Sequence, residues 1–106
     1  MNCLDRIRNA LLTVTDRVYH FHAHKANAPY IVWAEDGAGE AVFANGSMQN
    51  QVLSGTVDLY TRTPDDRTLF NGVQNALNGV CAWRLNSIQF EEDTGLTHYE
   101  WVWEVA

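Results

Sequence analysis

A chain of 106 residues with 46% hydrophobic and 19% charged residues has the apolar content of one folded domain, spanning 1–106, and is too apolar for a disordered segment. Its formal charge of -6, with only seven Lys and Arg, disfavours a surface that neutralises nucleic-acid phosphates, because each such contact takes a cation. No apolar run approaches the roughly 20 residues of a membrane span, and the opening MNCLDRIRNALL carries Asp5 and lacks a signal-type apolar core, so a cytosolic place of synthesis is expected.

In chain order, Cys3, Ile7, Ala10, Leu11 and Val14 recur at three- and four-residue steps, which predicts an amphipathic helix over 3–14. A strand is expected from Val18 to about His24, with Tyr19, Phe21 and Ala23 alternating against His20, His22 and His24. A turn near Asn27 and Pro29 then leads into YIVWAED, a β-branched and aromatic run that suits a second strand pairing back on the first as a hairpin. From Asp36 to Gln51 the chain is rich in glycine and asparagine around a short apolar island, and reads as a long loop of the kind that carries function.

Alternation resumes over 52–62, where Leu53, Gly55, Val57 and Leu59 face one way and Ser54, Thr56, Asp58 and Tyr60 the other. Thr63-Pro64-Asp65-Asp66 is a helix start, with Thr63 or Asp65 placed to cap, and Leu69, Phe70, Val73, Ala76, Leu77 and Val80 form one apolar stripe before Asn78-Gly79 ends it. Residues 82–92 and 96–105 read as two strands joined through Asp93-Thr94-Gly95. The expected fold is α+β: five largely antiparallel strands in one sheet, two helices packed on one face, order α-β-β-β-α-β-β.

Few residues offer chemistry. If His20, His22 and His24 share one strand face, they stand roughly 6.5–7 Å apart per step of two, so two of them can share a metal. Spacing alone is weak evidence, and no acid follows closely as in other metal-binding H-x-H patterns; a polar or interfacial strand face outweighs a metal site, and no cofactor is expected. The acids at Glu91, Glu92 and Asp93 fall on a hairpin tip, where solvation is the default. Ser47, Ser54 and Ser87 lack a nucleophile-elbow context, and Cys3 and Cys81 show no ligand or redox spacing. Tyr99, Trp101 and Trp103 share a strand face; with Trp33 and Trp83 they suit either a core or a partner contact. His98, Glu100, Val102 and Glu104 share the opposite face.

The run APYIVWAEDGAGE, the glycine-containing strand SGTVDLYT, the helix NGVQNAL and the ending WRLNSIQFEEDTGLTHYEWVWEV together resemble small tail proteins of siphovirus-type phages and prophages. In order of elements the chain is similar to the tail-terminator, or tail-completion, family, over nearly its whole length. That resemblance implies a non-enzymatic virion protein, assembled in the host cytoplasm, that forms a homo-hexameric ring at the head-proximal end of the tail tube. The ring ends tube polymerisation and joins the tube protein to the head-tail connector, and DNA passes through it without specific binding. On this reading Glu100 and Glu104 are lumen candidates, and Trp33, Tyr60, Trp101 and Trp103 are subunit-interface candidates. The loop would dock on tube or neck through Gly39, Phe43, Asn45 and Met48, and the histidine row would sit at a subunit contact sensitive to pH. The alternatives are another neck or minor tail component, a small metal-dependent enzyme or ligand-binding domain using His20, His22 and His24, and a monomeric adaptor.

Overall fold

The computed structural model describes residues 3–24, 26–38 and 52–105. The elements are α1 (Cys3–Leu12), β1 (Val18–His20), β2 (Tyr30–Ala38), β3 (Leu53–Thr61), α2 (Thr68–Leu77), β4 (Ala82–Glu91) and β5 (Leu96–Val105). The fold is α+β in the expected order, with one mostly antiparallel five-stranded sheet arranged β1-β2-β3-β5-β4. Because β3 and β4 are both antiparallel to β5, they run parallel to one another. Helix α2 is therefore a crossover connection, and β5 folds back into the gap it leaves. The β4–β5 turn uses Gly95 at φ 72°, whose N–H donates to the Glu91 carbonyl at 2.8 Å; a side chain is disfavoured at that φ.

Both helices lay an apolar stripe on the same sheet face. Ile7 and Leu11 of α1 and Phe70, Val73 and Leu77 of α2 meet Ile31, Trp33, Val57, Leu59, Tyr99, Trp101, Trp103 and Val105 in one core. Large aromatics hold the layers in register: Phe70 lies 5.1 Å from the Tyr99 ring and 5.5 Å from that of Trp101. The Trp101 indole N–H donates to Gln74 Oε1 at 3.2 Å, which satisfies the polar end of a fully buried ring. At the start of α2 it is Asp66, not Thr63 or Asp65, whose carboxylate accepts from the Thr68 N–H, at 2.9 Å. At its end Gly79 takes φ 83°, beside Asn78 as expected. No helix among the described residues is long and apolar enough to cross a membrane.

The first strand departs from the alternation pattern. β1 stops at His20 after three residues and pairs parallel to β2, with Val18 opposite Ile31 and His20 opposite Trp33. No β1–β2 hairpin forms. Phe21 sits at φ 71°, outside the strand region, and is 57% exposed, and His22 N–H turns back to the His20 carbonyl at 2.9 Å. Periodicity carried the expected strand four residues too far because it does not register a backbone reversal at a single non-glycine residue.

Gly55 is the tightest point of the sheet. A Cβ built there overlaps the Ala34 carbonyl oxygen and the Trp103 indole, so the large ring packs where β3 has no side chain. Gly55→Ala is expected to destabilise the fold by roughly 3 kcal/mol through overpacking against buried groups. Urea unfolding checks this, and an unchanged midpoint would contradict the packing described.

Candidate functional site

Strand alternation puts the other half of the sheet on the face away from the helices. Cross-strand register arranges that face in rows: Tyr30, Tyr60, His98 and Gln89; then Val32, Asp58, Glu100 and Ser87; then Ala34, Thr56, Val102 and Arg84. In the first row the rings stack in sequence, Tyr30 on Tyr60 at 4.8 Å and Tyr60 on His98 at 4.3 Å. Such cross-strand ring pairs stiffen a sheet and fix side-chain direction.

Polar groups gather around His98. Its Nε2 lies 2.6 Å from Asp58 Oδ1, and since an ionised carboxylate only accepts, Nε2–H is the donor. Its Nδ1 is 3.5 Å from Glu91 Oε2, on β4. Glu100 Oε1 accepts from the Asn86 side-chain amide at 2.6 Å. That contact depends on a bulge: Leu85 is opposite Trp101 and Ser87 opposite Glu100, which leaves Asn86 unpaired and free to reach across. The donor atoms of Asp58, His98 and Glu100 all fall within 4.8 Å of one another.

The electrostatics follow from this crowding. The hydrogen bond to Asp58 raises the His98 pKa above its usual 6.5; burial opposes the rise, and the charges of Asp58, Glu91 and Glu100 add to it. Tyr60 is pushed up to about 12, first by burial and then by the surrounding acids and Tyr30. Three carboxylates thus face one imidazole on a half-buried surface.

The residues singled out in the sequence are dispersed. His20 Nε2 donates to Glu35 Oε1 at 2.6 Å, and its ring lies between Trp33, at 4.0 Å, and Phe21, at 4.3 Å. That bond holds the Glu35 carboxyl below its usual range. His22 and His24 lie beyond the strand and are exposed, so the three histidines form no ligand row on a strand face. Trp33, Trp101 and Trp103 are at most 4% exposed and belong to the core, which rules them out as subunit contacts in this fold. Tyr60 stays half-buried on the open face, together with Glu100, and Glu104 is exposed there. Gly39, Phe43, Asn45 and Met48 lie outside the described residues. Cys81 is half-buried with its thiol pushed up to about 11 by burial, in keeping with a packing role. His98 and Asp58, forty residues apart in sequence, carried no spacing signal beyond the bare alternation of their strands.

A second surface feature lies on β4, an edge strand with β5 alone beside it among the described residues. Leu85, Ile88 and Phe90 are opposite Trp101, Tyr99 and Thr97, hence on the helix-side face, yet they are 36%, 45% and 60% exposed because neither helix reaches them. The bulge at Asn86 shifts the alternation by one, so that an odd residue before it and even residues after it share the face.

Because the His98 pKa is raised on folding, the Asp58–His98 pair stabilises the fold fully below pH 6.5 and loses that contribution as pH rises through the raised value. An NMR titration of the His98 ring is expected to give a midpoint above 6.5, and Asp58→Asn to lower it, since it removes the largest cause. A wild-type midpoint at or below 6.5 would refute the pairing.

Comparison with protein-family models finds no match for this chain, and comparison with curated proteins finds none either.

Proposed function

We propose that this chain is a non-enzymatic, self-assembling phage tail protein of the tail-terminator type, a ring at the head-proximal end of the tail tube that ends tube growth and joins the head connector. The observation that carries the reading is the β4 edge. A ten-residue edge strand whose outer backbone groups have no strand partner among the described residues, and which carries three exposed apolar side chains, is a surface that other proteins blunt with charge, proline or a covering element. A ring needs head-to-tail contacts between two unlike surfaces of the same chain. The sheet supplies unlike edges: long and apolar at β4, three residues long and flanked by the His20–Glu35 pair at β1.

The open face adds support. Asp58, Glu91, Glu100 and Glu104 line it in a chain of net charge -6, a balance that repels phosphate and suits a lumen through which DNA slides. The resemblance of the strand and helix sequences to phage tail proteins supplies the virion setting and the partners, namely further copies, the tail tube protein and the connector. Another neck or minor tail component with the same edge fits the same observation, and so does an adaptor that captures a partner strand on β4. The metal-enzyme reading based on His20, His22 and His24 loses its geometric basis with the row dispersed.

Light scattering coupled to size exclusion, at high protein concentration and with tail tubes added, is expected to show a multi-subunit assembly. The double variant Ile88→Lys with Phe90→Glu should reduce it to monomers without lowering thermal stability, because both side chains are already exposed. A wild-type chain that stays monomeric with tubes present, or a double variant that assembles normally, would sink the ring.

A further inference from the structure

We propose that Asp58, His98 and Glu100 form a binding site for a first-row divalent transition-metal ion, with Zn2+ as the representative ligand. The site requires nothing from the ring and stands on different residues from those of the β4 edge.

Three donors of suitable chemistry meet on one surface: an imidazole nitrogen and two carboxylates whose ligand atoms are all within 4.8 Å of one another. Two ligands of one ion at about 2.1 Å, at tetrahedral to octahedral angles, stand roughly 3.0–3.5 Å apart. Asp58 and His98, at 2.6 Å, must therefore separate slightly, and Glu100 must swing in about its flexible side-chain torsions. Both partners project from adjacent strands paired through nine register positions, so the backbone holds them close while the side chains adjust.

The imidazole sets this group apart from a patch of surface acids. Nε2 points at Asp58, while Nδ1 faces Glu91 at 3.5 Å. With the ion on Nε2 the ring carries its one N–H on Nδ1, directed at Glu91: an imidazolium releases its Nε2 proton to solvent, and a neutral ring moves that proton to Nδ1. This is the carboxylate–histidine–metal arrangement that orients a ligand ring and raises its basicity. The Tyr60 ring stacked at 4.3 Å fixes the plane of the imidazole, and the Asn86 amide holds one oxygen of Glu100 while the other is free to ligate. His98 and Asp58 side chains each retain 17% exposure, which leaves a path for the ion and room for water at the remaining coordination position.

The donor set also orders the metals. One nitrogen and two oxygens favour Zn2+, Co2+ or Ni2+ over Mg2+ and Ca2+, which prefer all-oxygen shells. The charge balance points the same way, since Asp58, Glu91 and Glu100 place three carboxylates around a single histidine and a divalent ion offsets the excess.

Titration calorimetry of metal-stripped protein with ZnCl2 at pH 7.5 tests this. One Zn2+ per chain is expected, together with visible absorption on Co2+ addition and no heat with MgCl2. Glu100→Gln, which leaves the Asp58–His98 pair intact, and His98→Gln should each weaken Zn2+ binding by at least about tenfold, with folding checked by circular dichroism. The paired variant His22→Gln with His24→Gln should bind as wild type. No zinc binding in the wild type overturns the site, as does undiminished binding by Glu100→Gln, or loss of binding on replacing His22 and His24, which would mark an adventitious ion on exposed histidines. Should His98→Gln fail to fold, Glu100→Gln alone decides.

Discussion

The row Tyr99, Trp101 and Trp103 on β5 governs the rest of the molecule. Three large rings on one face of a central strand must be covered, and the cover is two helices of ten residues each. A ten-residue helix is about 15 Å long, whereas a ten-residue strand reaches about 33 Å. The helices close over β2, β3 and β5, where Ile7, Leu11, Val73 and Leu77 are fully buried, and fall short of the far half of β4. The exposed Leu85, Ile88 and Phe90 are the part of the same apolar face that this cover does not reach. Gly55 belongs to the same constraint, because the Trp103 ring occupies the space a β3 side chain would take.

With one face committed to burial, strand alternation sends the polar residues of β3, β4 and β5 to the other. Chance alone would scatter charges there, but cross-strand pairing and the bulge at Asn86 converge Asp58, Glu91 and Glu100 on His98. The stack of Tyr30, Tyr60 and His98 runs across the strands beside them and shields the cluster on one side. Fold and electrostatics are thus linked through a single strand, since β5 places its rings in the core and His98 and Glu100 in the acidic cluster.

Residue order alone specifies the material of the fold: two helical stripes, strands with alternating faces, the turn at Gly95 and the stop at Asn78-Gly79. These are local properties, carried by periods of 3.6 and 2 and by residues with restricted or permissive backbones, and they survive into the structure nearly in place. The segregation of Tyr99, Trp101 and Trp103 from His98, Glu100 and Glu104 was legible for the same reason.

Tertiary structure decided what depends on partners distant in sequence. Alternation placed His20, His22 and His24 on one face, but Phe21 at φ 71° ended the strand, and Glu35 and Trp33 claimed His20. Trp33, Trp101 and Trp103 were compatible with core or contact until the packing buried them, while Trp83 on the edge strand is only partly covered, because burial is a property of the whole packing and not of any one strand. The histidine at the centre of the cluster is the fourth, His98, which alternation placed on a strand face with Glu100 and nothing more. Its neighbours come from β3 and β4, strands on either side of β5, and only sheet order and register bring their carboxylates within reach of its ring.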